Sequence, residues 1–117
     1  MPYTAAVTDI IITLTEIQDF ADKMESWDED QRAAAVNGTA IVVEPSISAT
    51  LTECDDDGPV PPVTRIETFL PTLYVSDNDA SEIADEVLAF FKEDCEEATP
   101  GAVITYEPYK LINNVSR

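Results

Sequence analysis

Three consecutive aspartates are the first residues in this chain whose type could do chemistry. They lie in the stretch CDDDG, between Cys54 and Gly58. Carboxylate oxygens are preferred ligands of Ca²⁺, but a calcium loop alternates its ligands with spacer residues and adds a distal bidentate glutamate. Adjacent side chains instead point in different directions. We therefore expect Asp55, Asp56 and Asp57 to form a solvated acidic tip and not a metal site.

The two cysteines, Cys54 and Cys95, offer little further chemistry. The chain has no histidine and no CxxC spacing, so a zinc site is not expected. Histidine is also the usual base that raises the thiolate fraction of a nucleophilic cysteine. We expect two buried free thiols in preference to a disulfide, because intracellular compartments are reducing.

Catalysis by paired carboxylates has no support in the pattern. With 24 Asp and Glu residues in the chain, such pairs occur by chance, and no flanking sequence marks one as buried with a raised pKa. There are only three glycines, and neither a glycine-rich phosphate loop nor a GxSxG motif is present. We predict a protein that is not an enzyme and needs no cofactor.

The acidic excess is the outlying number in the composition. Against the 24 acidic residues stand only 6 Lys and Arg, which gives a formal net charge of −18 at pH 7. Nucleic-acid-binding proteins need clustered Lys and Arg to contact phosphates, so that class is disfavoured. Three explanations stay open: adaptation to high salt, mimicry of nucleic acid, and a surface past which DNA slides without sticking.

Length and hydropathy predict a single folded domain over residues 1–117. A smaller second unit could hardly bury a core of its own, and 44% hydrophobic and 26% charged residues are typical of globular proteins. The N-terminal apolar run IIITL is far shorter than the roughly 18 residues that a membrane span requires. The residues before it lack the positive region of a secretory signal, so we expect an intracellular protein without a membrane anchor.

The N-terminal part of the chain has the apolar spacing of a helix. Between Thr4 and Glu25 the apolar residues recur in steps of three and four, which predicts an amphipathic helix. These residues are Val7, Ile10, Ile11, Leu14, Ile17, Ala21 and Met24. A second, short helix is predicted in QRAAAVNG, ending at a C-cap at Gly38.

Two strand-like segments flank the acidic tip. In TAIVVEPSISATLTEC apolar and polar residues alternate, as on a half-buried strand, and Pro45 indicates a bend, a bulge or an edge position. The second segment, VTRIETFLPTLYVSD, is rich in β-branched and aromatic residues around Pro71. Each strand needs the other as a partner, so residues 53–63 are predicted to be a hairpin tip and not a linker.

The C-terminal third predicts a long helix and a last strand. Asp79 is expected to cap the helix with Glu82 as the reciprocal partner, and TPG to end it. Its apolar stripe consists of Ala80, Ile83, Ala84, Val87, Leu88, Phe91 and Cys95. Phe90 lies off that stripe, which indicates that Phe90 or Phe91 faces a partner or a loop. AVITYEPYKLINNV is then predicted to be a strand followed by an extended tail.

Taken together, these elements predict an α+β domain in which a mainly antiparallel sheet with a long β-hairpin packs against two amphipathic helices. If both helices cover one face of the sheet, the other face is left for water or for a neighbouring subunit. Trp27, Tyr106 and Tyr109 could anchor an interface, although core packing explains them equally well.

The chain resembles the tail terminator proteins of long-tailed bacteriophages and archaeal tailed viruses. The resemblance is carried by an N-terminal amphipathic helix, a long hairpin with an acidic tip, TRIETFLPTLYVSDNDASEIADEVLAFFKEDCEE as strand then helix, and AVITYEPYKL as the last strand. It implies a structural virion protein without catalysis. Such a protein forms a ring, commonly a hexamer, that caps the tail tube and joins it to the head connector or stopper protein, and it is assembled in the host cytoplasm.

The resemblance also implies where the ring contacts lie. In that family the hairpin and the sheet edge mediate them, which maps to residues 47–51 and 66–75 here. The candidate interface residues are Ile47, Ala49, Leu51, Ile66, Phe69, Leu73 and Val75. Asp55, Asp56 and Asp57 would lie at the tip or channel, where carboxylates repel DNA and let it pass without specific binding.

Two other functions fit the same composition. One is an acidic mimic of DNA that inhibits a DNA-binding protein, which would need carboxylates in a continuous row on one exposed face. The other is a small cytosolic protein of a salt-adapted host, with acidic residues spread over every face.

Overall fold

The computed structural model describes residues 4–23, 25–55, 58–76 and 78–115. The elements are β1 (Thr4–Glu16), a 3-10 turn (Ala21–Lys23), α1 (Glu29–Asn37), β2 (Ile41–Asp55), β3 (Gly58–Pro59), β4 (Val63–Thr68), β5 (Thr72–Tyr74), α2 (Asn78–Ala98), β6 (Val103–Tyr106) and β7 (Lys110–Asn114). The predicted α+β class is confirmed.

Two long antiparallel strands, β1 and β2, form the centre of one sheet. On the outer side of β2 lie β3, β4 and β5, all antiparallel to it, and on the outer side of β1 lie β6 and β7, both parallel to it. The predicted hairpin is therefore present as β2 paired with β3 and β4. Strands of 13 and 15 residues make the molecule elongated, 57 × 25 × 20 Å.

The predicted N-terminal helix is wrong, because residues 4–16 form β1. A β-bulge at Asp9, with φ 53°, shifts the register between Thr8 and Ile11. Val7 and Ile10 therefore both face the core although they are three residues apart, a spacing that a regular strand would not give. Because of the bulge, these two apolar residues of β1 lie at an interval of three, which is also an interval of a helix. The β-branched run Ile10–Ile12, in contrast, favours a strand.

The core lies between the sheet and α2. The inward residues of β1 and β2 pack against a helix stripe that agrees with the predicted one: Ala80, Ile83, Ala84, Val87, Phe91 and Cys95 are buried, and Leu88 is half-buried at its margin. Phe91 and Cys95 have no exposed surface at all. One face of the sheet is thus covered by one long helix.

The short helix α1 confirms the second helix prediction. Asp28 and Gln31 form a reciprocal capping box at its start, and Gly38, with φ 76°, ends it in the left-handed conformation that glycine adopts without steric cost. Ala35 of α1 lines a small pocket with Val42, which is buried on the side of β2 opposite to Val43. α1 therefore covers the beginning of β2 on the face that α2 leaves open.

Three local predictions need correction. Asp79 lies inside the first turn of α2, and its carboxylate accepts hydrogen bonds from the N–H groups of Val75 and Ser76 (2.7 and 3.1 Å), so it fastens the preceding turn instead of capping the helix with Glu82. The predicted C-terminal tail contains a second strand, β7. Cys54 is exposed and not buried, because it lies at the far end of β2 beyond the core, whereas Cys95 is buried.

Among the described residues no helix is long and apolar enough to cross a membrane.

Candidate docking site at the open edge of the sheet

The strand β4 leaves one side of its backbone unpaired within the described part of the chain, since it pairs only with β2. Open edges of this kind expose N–H and C=O groups to any other strand, and natural proteins usually cover or charge them. Here two of the side chains exposed on β4 are apolar, since Ile66 is 70% exposed and Val63 is 55% exposed. This edge therefore has the properties of an association surface.

A proline in β2 breaks the edge into two strands. Pro45 cannot donate a backbone hydrogen bond, and the ladder on its outer side stops at Ser46 paired with Thr68 and resumes at Val43 paired with Thr72. Only the Pro45 carbonyl is used, accepting the N–H of Phe69 at 2.9 Å. Residues 69–71 are thereby released from the ladder between β4 and β5.

These released residues and α2 enclose an apolar groove of about 400 Å³. Pro45, Phe69 and Leu70 line it from the sheet, and Ile83, Val87 and Phe90 line it from the helix. The Phe69 and Phe90 rings contact each other with centroids 6.3 Å apart and planes tilted by 34°. A groove this large with so few polar groups is typical of a binding surface.

The groove walls expose their largest side chains to solvent. Leu70 is 79% exposed and Phe90 is 57% exposed, although Phe91 beside it is fully buried. Phe90 is thus the member of the phenylalanine pair that faces outward, one of the two outcomes that the sequence left open. Exposing both residues costs free energy that a partner could recover by covering them.

Carboxylates form the polar rim of the groove. Glu86 and Asp94 of α2 lie at its margin. Glu67 of β4, on the helix side of the sheet opposite Ile47, is hydrogen-bonded to Asp94. Burial, this hydrogen bond and the negative charge of Asp94 raise the pKa of Glu67, while the positive charge of Arg65 opposes the shift. The rim therefore favours groups that are neutral or basic.

The thiol of Cys95 is buried in the core, where the charges of neighbouring groups act on it. Burial raises the pKa of the Cys95 thiol, and the carboxylates of Glu67, Asp94 and Glu96 add to the shift against the opposing charge of Arg65. A thiol held in this way is less nucleophilic at neutral pH. Within the described residues no three His, Cys, Asp or Glu side chains are grouped as metal ligands.

The tyrosines of the C-terminal strands attach α2 to the other side of the sheet. The Tyr106 hydroxyl donates to the carbonyl of Lys92 at 3.5 Å, and the Lys92 Nζ lies 4.8 Å from the Tyr106 ring centroid. The Tyr109 hydroxyl contacts Asp85 Oδ1 at 3.4 Å. Both tyrosines are packed against the core. The structure therefore uses them for internal packing, the second of the two explanations that the sequence left open.

The predicted interface residues separate into two groups. Ile47, Ala49 and Leu51 are buried under α2 inside the subunit, so their side chains are already used by the fold. Ile66 and Val75 are exposed. Phe69 lines the groove, and Leu73 is half-buried in β5. Unlike the three buried residues of β2, these four residues lie along the edge of the sheet formed by β4 and β5.

The predicted set omitted one residue of this edge, Leu70, and part of the acidic tip lies outside the described residues. Leu70 was not predicted, although its position next to Pro71 and just after an alternating strand indicated a residue outside the ladder. Of the acidic tip, Asp55 ends β2, and Asp56 and Asp57 lie outside the described residues.

The exposed carboxylates of α2 stand in two groups. Glu82, Asp85 and Glu86 form the first, and Glu93, Glu96 and Glu97 the second. Between them lie exposed Ala89 and Phe90. The acidic surface of the helix is therefore interrupted at the groove.

No protein-family model, no curated protein and no solved structure matches the chain. Its function must be inferred from the surfaces described above.

Proposed function

We propose that the chain is a structural subunit that assembles with copies of itself through the edges of its sheet. The apolar groove at the open β4 edge carries this proposal, because Leu70 and Phe90 would be covered by a neighbouring subunit. The biological role that fits is the one implied by the sequence resemblance. The subunit would form a ring in the neck of a tailed virus, between the tail tube and the head connector.

Strand directions support a cyclic assembly. β4 is antiparallel to β2 and therefore runs in the same direction as β1, and β7 at the opposite edge is parallel to β1. When subunits are related by rotation about an axis along the strands, every strand keeps its direction. The β4 edge of one copy would then meet the β7 edge of the next as a parallel pair, a head-to-tail contact that can close into a ring.

The distribution of charge ranks the other two functions lower. A mimic of DNA needs an unbroken row of carboxylates, whereas the acidic surface of α2 is divided by Ala89 and Phe90. Salt adaptation would spread acidic residues over every face, whereas on the sheet surface opposite α2 the outward positions of β2 from Ser46 to Thr52 and those of β4 carry none. The abundant carboxylates elsewhere are compatible with a ring through which DNA passes without being held.

Mass and shape in solution test the proposal. The purified chain should form a closed oligomer in sedimentation velocity at moderate and high salt, with rings visible by electron microscopy. Leu70→Asp places a charge in the contact and should dissociate the oligomer. Val36→Asp is the matched control, since Val36 is 68% exposed on α1, which lies on the face of the sheet opposite to α2 and contributes no residue to the groove. A chain that stays monomeric in every buffer would refute the proposal.

A further inference from the structure

The sheet surface opposite α2 has a composition unlike the rest of the chain. We name it the hydroxyl face and define it by outward residues of three strands: Ala6, Thr8, Ile11 and Thr13 of β1, Ser46, Ser48, Thr50 and Thr52 of β2, and Thr64, Ile66 and Thr68 of β4. Ala6, Ile11 and Ile66 are apolar and all the others carry a hydroxyl. All are half-buried or exposed, so solvent reaches them.

No residue of the hydroxyl face is charged, in a chain with a formal charge of −18. Its outward neighbours on the C-terminal strands are Val103 and Thr105 of β6 and Lys110 and Ile112 of β7, which add one positive charge. Among the described residues, carboxylates approach this face in two places: Glu44 lies at the end beside α1, and Asp9 lies at the bulge between Thr8 and Ile11, where its N–H donates to Glu107. The outward positions of β2 from Ser46 to Thr52 and those of β4 carry no acidic residue.

Charge decides how two copies of such a chain can approach. If the α2 sides met, their carboxylates would come within about one Debye length, roughly 10 Å at 0.1 M salt, and would repel. If the hydroxyl faces met, the sheets would lie about 10 Å apart with one helix behind each, about 10 Å thick. The acidic surfaces of the two α2 helices would then be separated by about 30 Å, or three Debye lengths, where their repulsion is largely screened. The helix α1 also lies on this side of the sheet, and it covers the beginning of β2, at the end of the face.

The area is sufficient for a weak but specific contact. Ten residues of β1, Thr4 to Thr13, span about 33 Å at ~3.3 Å per residue, and the four strands across the sheet span about 19 Å at ~4.8 Å each. Their product is roughly 600 Å² per copy, or about 1,200 Å² for two copies. That value is at the lower limit of stable protein interfaces.

We infer that the hydroxyl face binds the same face of a second copy, forming a two-fold dimer of stacked sheets with α2 on both outer sides. Threonine methyl groups and the isoleucines supply apolar contact, while the hydroxyls hydrogen-bond to each other and to interfacial water. The contact uses a different surface from the groove and is independent of the proposed ring.

Sedimentation velocity of a charge variant tests this inference. Ser48→Glu places a carboxylate in the middle of the face, between Ile11 and Ile66, and should raise the dissociation constant of the dimer at least tenfold. Ser81→Glu makes the same substitution on the exposed surface of α2, gives the same net charge, and should leave the dimer intact. Ser48→Gln controls for side-chain size, and circular dichroism checks that each variant is folded.

The outcomes separate this dimer from the proposed ring. A dimer that Ser48→Glu weakens and Leu70→Asp does not would support the stacked faces, even if no ring forms. Assembly that Leu70→Asp abolishes and Ser48→Glu leaves unchanged would overturn the stacked faces and keep the ring. Equal effects of Ser48→Glu and Ser81→Glu, or a wild-type chain that is monomeric up to millimolar concentration, would also overturn the inference.

Discussion

The neighbouring phenylalanines of α2 allow stability and assembly to be tested by the same substitution at adjacent positions. Phe91 is fully buried and Phe90 is 57% exposed at the groove. Replacing a buried phenylalanine by alanine costs about 3–5 kcal/mol, because transfer free energy is lost and a cavity remains. Since small domains are stable by only about 5–15 kcal/mol, Phe91→Ala should bring the chain close to unfolding.

Phe90→Ala should have the opposite profile. In the isolated subunit it loses the contact with the Phe69 ring, which is worth about 0.5–1.5 kcal/mol. In an assembly it loses the burial of the exposed part of the ring. With about 1.5–3 kcal/mol for complete burial and somewhat over half of the surface available, the loss is about 0.9–1.7 kcal/mol per contact. The dissociation constant of that contact should rise roughly four- to eighteenfold.

Urea denaturation followed by circular dichroism measures the first quantity, and sedimentation velocity measures the second. Similar losses of stability in Phe90→Ala and Phe91→Ala would refute the placement of the apolar stripe of α2. A stable Phe90→Ala variant that assembles as tightly as the wild type would instead show that the groove is not an interface. The two readouts therefore test the fold and the proposed contact separately.

Three further predictions follow from local contacts. Burial and the neighbouring Asp94 raise the folded-state pKa of Glu67 above 4.5, so ionising this residue costs stability as the pH rises through that raised value. Glu67→Gln should therefore increase the free energy of unfolding at neutral pH and flatten its dependence on pH. A loss of stability at neutral pH would contradict this assignment. In the native chain Cys54 should react with a thiol reagent such as DTNB, whereas Cys95 should react only after unfolding; equal rates would be inconsistent with their burial. Asp79→Ala should lower the free energy of unfolding by about 1–2 kcal/mol, because two backbone N–H groups lose their acceptor, whereas Glu82→Ala on the same helix turn should change it by less than about 0.5 kcal/mol in urea denaturation.

The fold class, the helices α1 and α2 and the strand β2 could be predicted from the sequence because each signal there has one meaning. The apolar stripe of α2 has a regular helical period, and alternation in β2 has a regular strand period. Gly38 ends α1 in the left-handed conformation that its sequence context favours. In these segments local preference and tertiary packing agree, so the pattern alone was sufficient.

The N-terminal strand could not be predicted, because its decisive feature is a single irregular residue. The inward residues of β1 are two positions apart on each side of Asp9 but three positions apart across it. The reason is that two residues of β1 lie opposite Ala49 of β2 at the bulge. Nothing in the sequence marks Asp9 as a bulge in advance. The groove was difficult to predict for a related reason. It forms where Pro45 of β2 interrupts the pairing with β4 and β5, so it does not follow from the sequence of residues 69–71 alone.

The arrangement of charge could be determined only from the fold. Composition gives a net charge of −18 without saying where the charge lies. Folding places exposed carboxylates on the outer surface of α2, while alternation along β1 and β2 directs serine and threonine to the opposite face. Uniform acidity would oppose any self-association, whereas this separation leaves an apolar edge and an uncharged face on which repulsion is weakest. An acidic chain with such surfaces is therefore better suited to assembly with copies of itself than its composition indicates.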